Sequence, residues 1–497
     1  MILKKYIKSV AITALAFTIS SCGDELLIET PSENISVEDV AETGEIYPNV
    51  LEGALRGVYE TMFQTETGGT EAHEDYGQKG YDVVSDMLSG DLALAANVYN
   101  RYSNVAQLLA TEDFTFNTPN YIAWRYYYRI INSSNLVIRS LGGNDAAITD
   151  ANRDAMGQAK ALRAYAYFYL SQLYIKEYEP NSKVLPIYTV ANSSAKEQST
   201  TAEVYEQMIK DLEEAVVLLD SFNSSGKYQI NKEVAEGLLA YVYAARGEAT
   251  DITRARELAE NVINSGKYPI TSKTQVVGGF NDVYTNPSWM WGVDITLDNG
   301  LDLVSWWGQM DYYTFSYQSF GDKKQIDKGL YDAIKPTDVR KSQFDNDPVS
   351  GSYLMPINKF YDVNKQFRGQ RNIEADYIYM RVDEMYLLSA EMAAKEGLEA
   401  DAKNRLKDIL GQRFDDAADY AYVDALSGQD LLDEIYLQTR IELWGEGKSY
   451  LALKRNKETL TRGENHVYLA GESIKYNDNR ITLEIPQSEV QNNPFIN

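Results

Sequence analysis

Residues 231–266 read NKEVAEGLLAYVYAARGEATDITRARELAENVINSG, and this pattern predicts two packed helices. The first runs from Asn231 to Arg246 and Gly247 can end it, while the second runs from Ile252 to Ser265 with Gly266 as its C-cap. Two helices of about 12 to 16 residues joined by a short turn match the length of a tetratricopeptide unit. The small residues that let the pair pack closely are Ala240, Ala244, Ala245 and Ala255.

Amphipathic helices recur on both sides of this pair. Residues 151–177 and 201–221 place apolar side chains at steps of three and four, and Thr200 and Glu203 have the spacing of a capping box. The second half contains a further predicted pair and a last long helix: Ala375–Glu396, Asp401–Arg413 and Leu431–Leu453. The sequence therefore predicts a mostly α fold of tetratricopeptide-like helical pairs that support an irregular, loop-rich face.

The helical pattern fails in two segments. Residues 271–372 are rich in Gly, Pro, Asn and aromatic residues, and residues 64–117 form a smaller insertion of the same kind. Long irregular segments on a rigid scaffold are where binding residues concentrate. Within the larger segment, Trp289–Val293 reads as a buried strand, and Trp124 and Trp444 lie in helical patterns, so these tryptophans are predicted to be core.

The N-terminus has the layout of an export signal. Residues 1–22 read MILKKYIKSVAITALAFTISSC, with a basic leader, a short apolar stretch and small residues before Cys22. The apolar stretch is too short to cross a bilayer, which takes about 20 residues. We expect residues 1–21 to be a signal peptide, Cys22 to be acylated with fatty chains such as palmitate, and residues 22–45 to be a tether. An ordinary signal peptide with an incidental cysteine is the alternative.

Composition excludes several classes of function. The formal net charge is −26, and a surface this acidic repels nucleic acid and anionic headgroups, so membrane attachment is expected only through the lipid. Cys22 is the only cysteine, so disulfides, thiolate nucleophiles and cysteine-ligated zinc are excluded. The only histidines, His73 and His466, have no metal or triad motif around them and are read as solvated or capping residues. We therefore expect neither a metal nor a cofactor.

Motifs in a fixed order resemble those of the SusD/RagB family, over nearly the whole chain. They follow the cysteine in this order: Ala54–Tyr59; Trp124, Tyr128, Ile131 and Asn135; Ala159–Phe168; Pro186–Ile187; Tyr205–Ala215; Ala255–Tyr268; Arg381–Glu391; Arg440–Gly447 with Leu453–Arg455; and Ile485–Pro486 with Glu489 and Asn493–Pro494. The sequence departs from the family pattern at Thr439, Ser449 and Ala452, where the family usually has Glu, Arg and Asp.

The Arg440–Gly447 motif raises the question of catalysis. Glu442 and Glu446 lie one turn apart on a predicted helix, and a carboxylate pair can perform acid–base chemistry. Chance pairs abound in a chain with 73 acidic residues, so a structural ion-pair role is favoured. The resemblance agrees, because it implies a protein that is not an enzyme.

The resemblance implies a nutrient-binding lipoprotein of the outer membrane that faces the cell exterior. It would bind oligosaccharides or polysaccharides and deliver them to a SusC-like TonB-dependent transporter, its expected partner, for import. It also implies a division into a helical part over residues 46–270, with the insertion near 64–117, and a part over residues 271–497, with loops over 271–372 and helices over 373–455.

Sugar rings bind flat aromatic side chains through their C–H faces and amide, acidic or Arg groups through their hydroxyls. The chain has 38 tyrosines, and rings in the insertions rather than on helical stripes are the natural candidates. In the larger insertion the predicted ligand-binding residues are Trp306, Trp307, Tyr312, Tyr313 and Tyr317. In the smaller insertion they are Tyr76, Tyr81, Tyr99, Asn100, Arg101 and Tyr102.

Two other functions stay open at this point. The same architecture could bind peptides or another nutrient, or the chain could be a periplasmic helical-repeat scaffold. Exposed rings between Trp306 and Tyr317 would favour a ligand, and buried rings there would favour a scaffold.

Overall fold

The structure is a computed structural model that describes residues 48–109, 115, 119–369 and 371–496. The predicted signal, Cys22 and the tether lie outside the described residues. The helices are α1 (Pro48–Thr61), α2 (Gln78–Leu88), α3 (Ser103–Ala106), α4 (Pro119–Ser140), α5 (Arg153–Tyr174), α6 (Thr201–Leu218), α7 (Lys232–Arg246), α8 (Ala249–Asn264), α9 (Trp306–Met310), α10 (Tyr317–Phe320), α11 (Lys328–Ala333), α12 (Val382–Lys395), α13 (Glu399–Leu410), α14 (Gly428–Glu442), α15 (Ser449–Asn456) and α16 (Gln487–Asn492).

Short strands and 3₁₀ turns complete the described chain. The strands are β1 (Leu92–Leu94), β2 (Lys183–Leu185), β3 (Ser199–Thr200), β4 (Trp289–Val293), β5 (Lys324–Ile326), β6 (Tyr377–Arg381), β7 (Thr459–Thr461) and β8 (Ser473–Lys475), and they pair antiparallel as β1–β5, β2–β3, β4–β6 and β7–β8. The 3₁₀ turns are Gln275–Val277, Leu297–Asn299, Val339–Gln343, Ala417–Ala425 and Asn479–Ile481.

The helices pack as consecutive antiparallel neighbours, which confirms the mostly α fold with helical pairs. Contacts are most extensive between α4 and α5, α5 and α6, α7 and α8, α8 and α12, and α12 and α13, and the contact of α8 with α12 joins the first half of the chain to the second. The predicted capping box is present: the Thr200 hydroxyl accepts the Glu203 N–H at 3.2 Å, and the Glu203 carboxylate accepts the Thr200 N–H at 2.7 Å. Gly247 ends α7 in the left-handed conformation, where a glycine carries no steric penalty.

One large apolar core includes residues from Leu55 to Leu483 and so draws on both halves of the chain. A second, smaller core lies between α12, α13 and α14 and includes Leu387, Leu406 and Ile435. Trp124, Trp289, Trp291 and Trp444 are buried in the large core, as predicted. In the described part of the chain, no helix combines the length and the apolar character needed to cross a membrane.

Two helix predictions are wrong in part. The helix predicted over Ala375–Glu396 begins only at Val382, because Tyr377–Arg381 pairs with β4 as strand β6. The helix predicted over Leu431–Leu453 is broken between Glu442 and Ser449. Gly445 and Gly447 lie there at φ +77° and +75°, and a Cβ on Gly447 would come within 2.5 Å of the Asp82 carboxylate. Tertiary contacts therefore require the break.

The reading of the histidines is also corrected. His466 is buried, with Nε2 3.2 Å from Oδ2 of Asp327, so it is neither solvated nor a helix cap. His73 is half-buried, and its Nδ1 lies 2.5 Å from the Tyr317 hydroxyl. Both imidazoles are partners in loop contacts between distant segments.

Candidate ligand-binding site

The two insertions meet through a short antiparallel sheet. Leu92 of β1 pairs with Ile326 of β5, and Leu94 pairs with Lys324. The loop that follows β1 carries Tyr99, and the segment that precedes β5 carries α10. The sheet therefore places the predicted site residues of the smaller insertion beside those of the larger one.

A buried carboxylate fixes the loop after β1. Oδ1 of Asp322 accepts the backbone N–H groups of Val98 at 2.6 Å and Tyr99 at 2.7 Å, and Oδ2 accepts the N–H of Arg101 at 3.0 Å. Asp322 is fully buried. Charge-assisted hydrogen bonds to a buried carboxylate are strong, so one side chain of the larger insertion determines the path of the smaller one. Tyr99, 46% exposed, is held at the surface.

Tyr317 lies under this loop. Its ring centroid is 5.5 Å from that of Tyr99, and the Arg101 guanidinium lies 5.0 Å from it. Burial raises the pKa of Tyr317 and lowers the pKa of His73, whose imidazole is also disfavoured as a cation by Arg101. The Tyr317 hydroxyl and the His73 imidazole are therefore both held in their neutral forms near neutral pH.

A second buried carboxylate organises the other aromatic group. Oδ1 of Asp311 accepts the N–H of Tyr313 at 2.9 Å, and Oδ2 accepts the N–H groups of Thr314 and Asp362, each at 3.1 Å. Asp311 thus ties the Tyr312–Thr314 turn to the loop after Tyr361. Burial raises the pKa of Asp311 to about 7, and the neighbouring Asp362 carboxylate acts in the same direction.

Aromatic rings from these segments pack side by side. The Tyr312 centroid is 4.9 Å from that of Phe367 and 5.5 Å from that of Tyr313. Phe315 and Phe320 lie 4.7 Å apart. The Arg368 guanidinium lies over both Phe320 and Phe367 and so links the group around Tyr312 to the short helix Tyr317–Phe320, whose Tyr317 ring packs against Tyr99.

Cationic side chains lie over these rings. The Arg368 guanidinium is 3.8 Å from the Phe320 centroid and 4.8 Å from that of Phe367, and its Nη2 donates to the Ser319 carbonyl at 2.5 Å. Lys365 lies 3.7 Å from the Tyr361 centroid, and Arg371 lies 5.0 Å from that of Phe315. Lys365 also donates to Oδ1 of Asn358 at 3.0 Å, and Nε of Arg371 donates to Oδ2 of Asp302 at 2.9 Å. Cationic donors beside aromatic rings are the combination that sugars require.

We call this region the aromatic surface. Its rings are Tyr99, Tyr312, Tyr313, Phe315, Phe320, Tyr361 and Phe367, of which Tyr99 and Phe367 are exposed and the others half-buried. Rings that are partly accessible and flanked by fixed cations can stack against sugar faces and donate to hydroxyl oxygens.

Several predicted site residues do not present a ring to solvent. The buried ones are Trp306, Trp307, Tyr317, Tyr76, Tyr81 and Tyr102. Trp306 packs edge-on against Phe360 at 4.6 Å, and the hydroxyls of Tyr76 and Tyr102 lie 2.5 Å apart inside the core. Large rings gain the most free energy from burial, and here they fix the insertions to the helices. The expectation that these six rings are open to a ligand is therefore corrected. Between Trp306 and Tyr317, burial of Trp306, Trp307 and Tyr317 taken alone favours the scaffold alternative, and only Tyr312 and Tyr313 among the predicted rings there stay partly open.

The other predicted residues lie at the edge of the aromatic surface. Asn100 is exposed with φ +63°, and Arg101 is half-buried and forms an ion pair of 3.4 Å with Glu74. Tyr312 and Tyr313 are half-buried. The structure thus brings Tyr99, Asn100, Arg101, Tyr312 and Tyr313 to one region, although they come from different insertions.

Sequence reasoning missed Phe315, Phe320, Tyr361 and Phe367, and the cations Lys365, Arg368 and Arg371. The signal that could have found the loop is the run Lys365-Gln366-Phe367-Arg368-Gly369, in which one ring sits in an otherwise polar segment. Because the segment shows no helical or strand periodicity, nothing in the pattern predicts that this ring is buried. Phe367 is 49% exposed.

The acidic pair of the Arg440–Gly447 motif is structural, as predicted. The buried Glu442 carboxylate accepts from Arg381, Arg413 and Arg340 at 2.8 to 3.0 Å. Burial alone would raise the pKa of Glu442, but these guanidinium groups lower it well below its usual range. Glu442 is therefore no proton donor. Across the described ranges, no cluster of three His, Cys, Asp or Glu side chains is placed to hold a metal ion.

Family models match two segments of the chain. A model described as "Starch-binding associating with outer membrane" matches residues 69–244, and a model described as "SusD family" matches residues 310–497. Together the two segments include both predicted insertions in large part and the complete C-terminal helices.

Solved structures and curated proteins agree with these matches. A SusD-like carbohydrate binding protein from Bacteroides vulgatus is 25% identical, with a TM-score of 0.74 over 90% of this chain and 97% of that one. A SusD superfamily protein from Bacteroides fragilis is 26% identical, with a TM-score of 0.72 over 90% and 99%. A SusD-like protein from Bacteroides ovatus is 24% identical over 53% of this chain. The chain spans less than half the length of the curated relatives that it matches, 28% and 45%.

Proposed function

This chain belongs to the SusD/RagB family, and on that premise we propose that it binds oligosaccharides or polysaccharides on its aromatic surface without cleaving them. One observation carries the proposal: rings from two insertions form a single partly exposed surface, and Asp322 and Asp311 fix the segments that bear them. The name of the Bacteroides vulgatus relative, a carbohydrate binding protein, supports the same class of ligand.

We further propose that the protein is anchored in the outer membrane by acylation of Cys22, faces the cell exterior, and passes its ligand to a SusC-like TonB-dependent transporter. The family description, which places its members at the outer membrane, supports the location. Replacement of Cys22 by Ser should release the protein from the membrane fraction. Purification from native membranes should bring a TonB-dependent transporter along with it.

The ligand should be sought by screening the full-length protein, solubilised in a detergent that has no sugar headgroup. A glycan array should identify a bound oligosaccharide, and isothermal titration should then give its affinity. Tyr312→Ala and Phe367→Ala should each weaken binding by about tenfold, which corresponds to the loss of about 1.4 kcal/mol of ring stacking. Tyr284→Ala is the matched control, since Tyr284 is 73% exposed in the same insertion and its hydroxyl donates to Asp294, outside the aromatic surface.

The outcome separates the alternatives. Unchanged affinity in both ring variants would place the site elsewhere. Binding to a peptide array but to no glycan would favour the peptide-binding alternative, for which the cations Lys365, Arg368 and Arg371 would be suited to acidic segments. Binding to neither would favour a scaffold. New reducing ends after incubation with the bound glycan would contradict the proposal that the protein is not an enzyme.

A further inference from the structure

A pocket lies away from the aromatic surface, between three segments that are far apart in sequence. Its walls come from α4, from the loop around Tyr188, and from α16 near the C-terminus. Its volume is about 320 Å³. Ligand pockets span about 300 to 1,000 Å³, so this cavity suits a ligand of one or two rings rather than a chain.

One wall of the pocket is aromatic. The Trp124 and Tyr128 centroids are 4.7 Å apart, and Tyr188 lies 5.8 Å from Tyr128 with its ring nearly perpendicular. Tyr128 and Tyr188 are half-buried. The Tyr128 hydroxyl already donates to the Pro186 carbonyl at 3.0 Å, so this side chain offers a ligand mainly its ring.

Two arginines give the pocket its positive charge. Arg125 and Arg129 are exposed residues one turn apart on α4. Nε of Arg125 donates to the Gly68 carbonyl at 3.1 Å, and Nη1 of Arg129 donates to the Thr67 carbonyl at 3.0 Å. These bonds hold both guanidinium groups in place and leave most of their N–H donors unused within the described residues.

Neither arginine has a carboxylate partner within 4.0 Å in the part of the chain that the structure describes. Like charges one turn apart on a helix repel each other. Glu489 also lines the pocket, but its Oε1 accepts from Asn493 at 2.9 Å. Burial raises the pKa of Asp75 and the charge of Arg129 opposes that rise, so an acidic group lies near this arginine, but no salt bridge joins the two among the described residues.

Amides complete the lining. Nδ2 of Asn132 donates to Oδ1 of Asn192 at 3.2 Å, and Oδ1 of Asn132 accepts the Asn192 N–H at 2.9 Å. This reciprocal pair uses the backbone N–H and Oδ1 of Asn192 and leaves its side-chain Nδ2 group as a donor for a hydroxyl group. Guanidinium groups match carboxylates in planar geometry, whereas a neutral apolar occupant would leave both arginines without a partner.

We propose that this pocket, the Arg125 pocket, is a second binding site that takes a single sugar ring bearing a carboxylate. The sugar ring stacks on Tyr128 with Tyr188 edge-on beside it, the carboxylate pairs with Arg125 and Arg129, and the hydroxyls meet the amides and Glu489. The site is independent of the aromatic surface, and it adds a preference for acidic sugar units to the proposed function.

The test compares sugars that differ only at C6. Saturation-transfer NMR on the full-length protein is run with D-galacturonate against D-galactose and with D-glucuronate against D-glucose. At least one uronate should bind about tenfold more tightly than its neutral partner, the gain expected for a charge-assisted contact of about 1.4 kcal/mol. A crystal soaked with that uronate should show its carboxylate between the two arginines.

Variants distinguish this site from the aromatic surface. The Arg125→Gln, Arg129→Gln double variant should lose the preference for the uronate, while Arg254→Gln, an exposed helical arginine on α8, should keep it. Tyr312→Ala should leave uronate binding unchanged, even where it weakens polysaccharide binding. Thermal melts confirm that each variant is folded. Equal binding of uronate and neutral sugar, or binding that survives the double variant, would overturn the proposal.

Discussion

The carboxylate of Asp322 accepts the backbone N–H of Tyr99 at 2.7 Å, across 223 positions of sequence. A residue of the larger insertion thereby holds the ring of the smaller one at the surface. The same carboxylate accepts from Val98 and Arg101, so three N–H groups of one loop depend on it.

Asp322→Asn should loosen this loop. An asparagine keeps one acceptor oxygen but points an NH₂ group at an N–H donor, so at least one buried N–H loses its partner. We expect the free energy of unfolding to fall by about 1 to 3 kcal/mol and glycan affinity to fall with it. Urea unfolding and titration calorimetry measure the two effects. Asp298→Asn, at an exposed position of the same insertion, should change neither; equal losses in both variants would contradict this role.

Asp311 should make stability depend on pH. Burial and the neighbouring Asp362 raise its pKa to about 7, whereas the pKa of an aspartate in the unfolded chain is about 3.9. Between these values the native state keeps a proton that the unfolded chain has released, so the free energy of unfolding falls as pH rises from about 4 to about 7. Asp311→Asn should flatten this slope.

The measurement is a series of urea unfolding curves from pH 4.5 to 8 on the wild type and on Asp311→Asn. The difference between the two isolates Asp311 from other titrating groups, including Asp376, whose pKa is also raised to about 7 by burial. If the two slopes are parallel across this range, Asp311 is ionised throughout in the native state and the expectation is wrong.

Glu442→Gln should be among the most destabilising conservative changes in the chain. It removes the charge that balances Arg340, Arg381 and Arg413, all of which are buried. Removing one partner of a buried ion pair lowers the free energy of unfolding by about 3 to 5 kcal/mol. Asp433→Asn, an exposed carboxylate on the same helix, is the control for loss of a charge. A melting temperature that Glu442→Gln leaves unchanged would mean that the network contributes no net stability.

Gly321→Ala should disturb the junction of the insertions. Gly321 has φ +129°, and an added Cβ would come within 2.6 Å of Cγ2 of Val98. We expect a loss of about 1 to 2 kcal/mol from the backbone conformation alone, with a further loss from the contact. Adding Val98→Ala to the Gly321→Ala variant should restore only the stability that was lost to this contact. Gly300→Ala, at φ +66° with open space around its Cβ, measures the backbone part alone, and the Gly321 variant should be the less stable of the two.

Local sequence predicted the helical scaffold well. Thr200 and Glu203 form the predicted capping box, Gly247 ends α7, and the stripes of 151–177 and 201–221 lie on α5 and α6. These features depend on contacts within a few residues. The errors at Ala375–Glu396 and Leu431–Leu453 come from distant partners: β4 pairs with Tyr377–Arg381, and Asp82 faces Gly447.

The site was harder to predict, because exposure of a ring depends on what folds over it. Trp306 and Phe367 both lie in the irregular segment, where the polar neighbours of Phe367 indicate exposure but nothing beside Trp306 in the sequence indicates that it is buried. Phe360 and Lys79 cover Trp306, whereas Phe367 rests on Tyr312 and stays half open. Prediction therefore named segments that contribute to the aromatic surface and three of its rings, Tyr99, Tyr312 and Tyr313, but it favoured the largest rings, which are the ones that burial stabilises most.

The sequence by itself determined the helical pairs, the positions of the two insertions and the family, because helix periods, caps and ordered motifs are local properties of the chain. Only the tertiary structure decided which rings form the aromatic surface and which cations lie beside Trp124. The aromatic surface depends on the β1–β5 pairing and on the buried residues Asp322 and Asp311, which join segments more than 200 residues apart in one case and about 50 in the other. The two arginines are placed by the packing of α4 against Thr67 and Gly68.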